Sequence, residues 1–192
     1  MVTLLVNIKK LVEAAHYLYK GGFVSGFAGN ISMRLTREKI AITPTRIPLS
    51  LVTEENVAIV DMDGRRLLGG NPSSEVYLHI GIYKKRKDIN GIVHTHSPYA
   101  TAFAFSDKRL KGLEGFNGIK GDSIEKVAYH RPGSMELARE CAKKIKDGKI
   151  LILENHGVVS CGSNLQEAVQ LAEFIEESAK IQFLAYILKN LN

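Results

Sequence analysis

Cysteine is scarce: the 192 residues hold two, Cys141 and Cys161. Two thiols build no disulfide framework, which excludes a small stapled secreted scaffold and favours a reducing, cytoplasmic setting. Long apolar runs are also missing. None approaches the roughly 20 residues that span a bilayer, so no membrane role is expected. The opening stretch Met-Val-Thr-Leu-Leu-Val-Asn lacks a basic leader and soon meets Lys9, unlike a secretory signal. Repeats, linkers and low-complexity tracts are absent, so residues 1–192 read as a single domain with room for a sizeable core.

Charge is present but of an ordinary kind. The net +6 is carried partly by Lys84-Lys85-Arg86-Lys87 and Lys143-Lys144-Ile145-Lys146, both at helix C-terminal halves, where cations complement the dipole and face solvent. No aromatics interleave with these runs and no known module surrounds them, so no nucleic acid partner is expected. A basic balance instead helps to draw in an anionic small substrate.

Periodicity predicts a mixed α/β chain. Helical spacing covers 7–20 and ends at Gly21-Gly22. The stretch 26–34 leads into 39–43 as two short strands around a turn, and a third strand follows at 57–61, with a hairpin signal at Asp63-Gly64. A helix opens at Pro72-Ser73-Ser74-Glu75 and runs to about Arg86. The strand ending in His94 and His96 comes next, then a short helix at 99–105. Residues 106–131 read as loop with one short strand, and a helix capped by Ser134 covers 135–147. The apolar run 149–153 leads to His156, with Val158-Val159-Ser160 continuing the strand, and the last helix starts after Asn164. Strict β-α-β alternation is rare in this order, which implies a largely antiparallel central sheet flanked by helix layers.

Three histidines carry the chemistry. His94 and His96 stand at i, i+2 on a strand, so their imidazoles project from one face. His156 ends another strand-like run. Three neutral imidazoles with an open fourth position form the ligand set of a catalytic zinc. Glu75 is a carboxylate that can be the fourth ligand, a general base, or each in turn. Ser73 and Ser74 read first as helix caps, and the same helix start is also a ready anion site. Gly29-Asn30 and Thr43-Pro44-Thr45-Arg46 offer amides, hydroxyls and a guanidinium to complete such a cradle. His16 lies in the first helix and reads as a packed or surface residue.

Taken in order, Gly29-Asn30-Ile31-Ser32, Thr43-Pro44-Thr45, Pro72-Ser73-Ser74-Glu75, His94-Thr95-His96 and Asn155-His156-Gly157 resemble the class II aldolase and epimerase family over almost the whole chain. The resemblance implies a mostly antiparallel sheet between helix layers and a homotetramer with active sites at subunit interfaces. It implies Zn2+ held by His94, His96 and His156, with Glu75 near or on the metal. The phosphate of a sugar substrate would lie against Asn30, Thr45, Ser73 and Ser74, with Gly29 supplying backbone. The implied reaction is reversible cleavage of a ketose 1-phosphate, of the L-fuculose 1-phosphate type, to dihydroxyacetone phosphate and an aldehyde such as L-lactaldehyde. A metal-stabilised enediolate would be the intermediate, and Glu75 would shuttle the C3 proton.

The chain departs from the pattern at three places. Arg46 follows Thr45 where the aldolases have glycine, so its side chain becomes a candidate phosphate contact. Glu114 stands where the family has a tyrosine acid from a neighbouring subunit, and the sequence stops at Asn192, short of a second tyrosine. Tyr129 reads as an ordinary packed aromatic rather than a substitute acid. The family's alternatives are L-ribulose-5-phosphate 4-epimerase, whose loop aspartate falls here at Gly118 with Asp122 further on, and methylthioribulose-1-phosphate dehydratase. A non-enzymatic binding module of the same fold would be expected to lose the metal ligands, and all are present. A structural zinc site would close with cysteine, whereas Cys141 and Cys161 read as small core residues.

Overall fold

The computed structural model describes residues 2–113 and 124–191. Eight short strands in it hydrogen-bond into one sheet: β1 (Asn30–Arg34), β2 (Lys39–Ile42), β3 (Ala58–Asp61), β4 (Arg66–Leu68), β5 (Gly91–Thr95), β6 (Ile124–Val127), β7 (Ile150–Leu153) and β8 (Gly157–Gly162). Their order across the sheet is β4-β3-β2-β1-β5-β8-β7-β6. The β6–β7 pair is parallel and the other six pairs are antiparallel, as the sequence led us to expect. Five helices accompany the sheet: α1 (Val2–Lys20), α2 (Val76–Lys85), α3 (Pro98–Ala104), α4 (Met135–Lys144) and α5 (Leu165–Lys189).

The period-2 alternation of the strands sorts the core into layers. Ile31 and Met33 of β1, Ala41 of β2 and Val93 of β5 point to one face, where α1 and the start of α5 bury Leu11, Leu18 and Ala168. The residues between them, Ile40, Ile42 and Ile92, point the other way and pack on Leu78, Ile82 and Leu137 of α2 and α4. Farther along the sheet, Ile150, Ile152 and Val158 meet α3 and Ile175 of α5. Asn30, Ser32 and His94 share the parity of Ile92 and therefore face α2. Cys141 and Cys161 are buried in the α2/α4 cluster as small core residues. Among the described residues no helix is long and apolar enough to cross a membrane.

Local signals explain most boundaries. Gly64 takes φ +83°, and the Asp61 carboxylate accepts from the backbone N–H of Asp63 and Arg65, closing the β3–β4 hairpin. Ser134 and Asn164 cap α4 and α5 by accepting from Leu137 and Glu167 N–H. His16 joins α1 to the following loop through Nε2 and the Val52 carbonyl at 2.8 Å. Several boundaries differ from the sequence reading: α2 begins only at Val76, past the Pro72–Glu75 segment, and α4 ends at Lys144 rather than residue 147. Helix α1 starts five residues earlier, at Val2 rather than residue 7, because nothing in that stretch breaks a helix. Residues 158–160 do not continue the 150–153 strand: the chain reverses at Glu154–His156, with Asn155 at φ +52°, and β8 returns antiparallel to β7.

The start of α5 carries an acid-sensitive contact. Glu167 pairs with Lys149 and accepts from Ser163 N and Oγ at 2.7 and 2.6 Å. Partial burial alone would raise its pKa, but these hydrogen bonds hold it down at about 2. A carboxyl depressed in the folded state stabilises above its unfolded pKa, and that contribution is lost as pH falls through the folded value. Melting temperature should therefore decline from about pH 5 toward pH 2, and Glu167→Gln should flatten that decline. An unchanged slope in the variant would remove Glu167 as a contributor.

Candidate active site

The site is built where β1 and β5 run side by side. Asn30 and His94 are direct cross-strand partners, and Gly29 makes that closeness possible. A Cβ at Gly29, which sits at φ +78°, would lie 2.4 Å from Val24 Cγ1 and 2.9 Å from the His94 carbonyl. His96 falls just past the end of β5, and His156 sits in the β7–β8 turn. The three rings nevertheless converge, with centroids 4.8 to 5.1 Å apart. Each offers a ligand atom, and these atoms lie within 4.8 Å of one another. The buried Glu75, at the N-cap of α2, joins them: Oε2 is 3.1 Å from His94 Nε2, and Oε1 is 3.6 Å from His156 Nε2.

Proton accounting shows what this cluster accommodates. His94 Nδ1 donates to the Val158 carbonyl at 2.9 Å, which directs its Nε2 at Glu75 and at His96 Nε2, 3.0 Å away. An imidazole lone pair, a second ring nitrogen and a carboxylate oxygen converge there, an arrangement stable only around a cation. A proton on His94 or a metal ion can occupy that point. Glu75 Oε1 and His156 Nδ1, both buried, have no hydrogen-bond partner among the described residues. The orphaned Glu75 oxygen, facing a three-imidazole group, fits a metal centre, which would satisfy it, and His156 would ligate through Nε2, the nitrogen turned toward Glu75.

The electrostatics agree. Burial pushes His96 down to about 3 and His156 down to about 4, with the neighbouring His94 adding to both. Both rings are thus neutral and able to ligate. Burial would lower His94 too, but the charge and hydrogen bond of Glu75 outweigh it and raise this group. Glu75 is held well below the usual carboxylate range, since His94, His156 and Asn30 together overcome its burial.

The polar segments predicted to form a cradle are stitched side by side. Thr45 N donates to Asn71 O at 2.9 Å and Ser73 N to Thr43 O at 3.1 Å, around a Pro44–Pro72 bridge. Thr43 Oγ1 accepts from Ile31 N, linking the pair to β1. Ser73 Oγ accepts from Glu75 N at 3.2 Å, an in-loop contact rather than a cap on α2. Since the Thr45 and Ser73 amides are engaged internally, a phosphate here would be met by hydroxyls and by Arg46. Arg46 is exposed and adopts φ +57°, a conformation that favours glycine, the residue the family resemblance led us to expect there.

Other expectations resolve differently. Tyr129, read as packed, is 54% exposed. Glu114, Gly118 and Asp122 lie outside the described residues. The sequence analysis quoted Ser32 and Gly157 only within motifs and passed over His79 and Tyr83. A Cβ at Gly157 would stand 2.5 Å from the Thr95 carbonyl and 3.2 and 3.3 Å from the His94 and His96 rings. Gly157→Ala should therefore weaken metal affinity by about 10–100-fold, the usual cost of disturbing ligand support. Titrating zinc into metal-free protein measures this, and unchanged affinity would show that the rings do not depend on that contact.

A buried carboxylate set against three imidazoles, on a mostly antiparallel sheet with helices, is an arrangement that suits a lyase centre of the class II aldolase type. Comparison with known proteins agrees: the Class II Aldolase and Adducin N-terminal domain family matches residues 9–183, and the chain belongs to this family. An L-fuculose phosphate aldolase from Methanococcus maripaludis is 38% identical over 97% of this chain and 99% of its own length. A 3-oxo-tetronate 4-phosphate decarboxylase from Haemophilus influenzae is 34% identical over 95% of this chain and 89% of that protein. Among solved structures, an L-fuculose 1-phosphate aldolase superposes with a TM-score of 0.87 at 30% identity, covering 95% and 87% of the two chains. The chain is thus an aldolase-type carbon–carbon lyase. Its family is typically metal-dependent, and the three histidines could hold the ion.

Proposed function

We propose that the protein catalyses reversible aldol cleavage of a ketose 1-phosphate of the L-fuculose 1-phosphate type, giving dihydroxyacetone phosphate and an aldehyde such as L-lactaldehyde. The observation that carries this is Glu75, an ionised carboxylate buried against three converging imidazoles. His94, His96 and His156 would hold Zn2+, with Glu75 near or on it. The ion would supply Lewis-acid stabilisation for the negative charge that cleavage leaves on the substrate oxygen.

The chain's own residues would do the rest. Thr45, Ser73 and Ser74 would bind the phosphate through their hydroxyls, Arg46 through its guanidinium, with Gly29 and Asn30 alongside. Contacts remote from the reacting carbon orient it. In the synthetic direction Glu75 would take a proton from C3 of dihydroxyacetone phosphate, and the resulting enediolate carbon would add to the aldehyde carbonyl. In cleavage the C4 hydroxyl gives its proton to solvent as the aldehyde forms, the C3–C4 electron pair stays on the C3 fragment, and Glu75 returns a proton to C3. In the synthetic direction solvent supplies the proton that the new C4 oxygen takes up.

A second reading is favoured by the decarboxylase relative. Loss of CO2 from a 3-oxo-tetronate 4-phosphate leaves the same enediolate, and one proton at carbon then gives dihydroxyacetone phosphate. The leaving group alone differs. Incubating the zinc-loaded protein with dihydroxyacetone phosphate and L-lactaldehyde, and separately with 3-oxo-tetronate 4-phosphate, separates them. A new ketose phosphate supports the aldolase; CO2 release without it supports the decarboxylase.

We place the enzyme in the cytoplasm, a setting in which the buried thiols Cys141 and Cys161 stay reduced. Assembly as a homotetramer is part of the same reading. It is supported by Phe183, Leu184, Tyr186, Ile187 and Leu188, 41 to 69% exposed on the last turns of α5. Sedimentation equilibrium tests it, and a monomer mass would contradict it.

A further inference from the structure

We propose that His79 is a positioning residue for Glu75, acting through the side-chain amide of Asn30. The proposal rests on the reading of Glu75 as the base at C3. Its basis is a polar seam between α2 and β1. Glu75, His79 and Tyr83 stand at i, i+4 and i+8 on α2, rising about 6 Å per step. Asn30, Ser32 and Arg34 stand at i, i+2 and i+4 on β1, rising about 6.6–6.8 Å per step. The two spacings match, so the rungs meet. Asn30 Nδ2 is 3.0 Å from Glu75 Oε2, and His79 Nε2 is 2.5 Å from Asn30 Oδ1. Ser32 Oγ is 2.6 Å from His79 Nδ1 and 2.9 Å from the Tyr83 hydroxyl. Arg34 closes the seam, its guanidinium 4.7 Å from the Tyr83 ring centre. His79, Ser32 and Tyr83 are fully buried.

Donor accounting leaves one direction through this chain. The Glu75 carboxylate only accepts, so it takes Asn30 Nδ2–H. The amide oxygen of Asn30 then faces His79, and only Nε2–H can serve it. A neutral imidazole protonated at Nε2 has its lone pair on Nδ1, which accepts the Ser32 hydroxyl. Ser32 Oγ in turn accepts from the Tyr83 hydroxyl. Every donor points toward Glu75. Burial pushes the His79 ring down to about 3, consistent with its neutral tautomer at physiological pH.

The consequence concerns Asn30 and the reacting oxygen. Asn30, expected among the substrate contacts, is engaged at both ends of its amide. By donating to Oε2 it orients the carboxylate so that Oε1, without a partner among the described residues, is the oxygen that exchanges the proton. Replacing His79 with an aliphatic residue strands the buried Asn30 Oδ1, so the amide rotates and Glu75 loses its brace.

The test combines kinetics with a readout independent of turnover. His79→Leu should slow solvent deuterium exchange at C3 of dihydroxyacetone phosphate by about 10²-fold, the cost of a small misplacement. KM and zinc content should stay within about threefold, whereas His79→Gln, which keeps a donor toward Asn30, should recover most of the rate. In the unsubstituted protein, 15N-labelled histidine should show His79 protonated at Nε2 and bare at Nδ1. The Asn30 side-chain amide proton should be shifted downfield there and in His79→Gln, and not in His79→Leu. A proton on Nδ1, an Asn30 signal indifferent to His79→Leu, or equal rate loss in both variants would overturn the proposal. Absence of exchange in the unsubstituted protein would instead overturn the reading of Glu75, while the two NMR signals still decide the hydrogen-bond chain.

Discussion

Glu75→Gln should lower solvent exchange at C3 of dihydroxyacetone phosphate by about 10²–10⁴-fold, the range a positioned general base contributes. The substitution keeps the side chain's size and removes its charge and basicity. Glu75 is the carboxylate whose oxygens face His94 and His156, at 3.1 and 3.6 Å. Those neighbours and Asn30 keep it ionised despite its burial. The cradle residues Thr45, Ser73 and Ser74 are untouched, so KM for dihydroxyacetone phosphate should move by no more than about threefold, because lost transition-state contacts appear in kcat. Unchanged exchange would remove Glu75 as the base.

His94→Ala should abolish stoichiometric zinc and activity together. The ring is fully buried, and its donation from Nδ1 to the Val158 carbonyl aims Nε2 into the centre of the group. Disturbing a supporting partner costs about 10–100-fold in metal affinity; deleting a ligand must cost more. The variant also removes the His94 ring from beside the buried Glu75 carboxylate, leaving it the Asn30 amide as a hydrogen-bond partner. Breaking a buried pair in this way costs about 3–5 kcal/mol, so a lower melting temperature should accompany the loss. Metal analysis by mass spectrometry after dialysis checks the first part and thermal denaturation the second. Retained zinc would mean that the three histidines are not its ligands.

The sequence disclosed the centre of this site because its information is local. The i, i+2 spacing of His94 and His96 places both rings on one side of a strand end, and Glu75 announces itself at a helix start. The antiparallel sheet was legible in the scarcity of β-α-β units. The turn at Glu154–His156 was not, because apolar residues on both sides make two strands look like one. Its only sign is Asn155, a residue type that tolerates the φ of +52° found there. His79 was invisible for another reason. In a helix it reads as one more buried position, and its meaning comes from Asn30 and Ser32, about fifty residues away in the chain. The spacing of four from Glu75 was the available hint. Gly157 is similar: its lack of a side chain matters only because Thr95, His94 and His96 crowd it from a strand 60 residues earlier.

The most direct test of the whole account is solvent deuterium exchange into C3 of dihydroxyacetone phosphate, comparing zinc-loaded with chelator-treated protein before any aldehyde is added. The account predicts exchange that depends on the metal and returns when zinc is restored. Exchange absent from the zinc-loaded protein, or equal with and without metal, would contradict it.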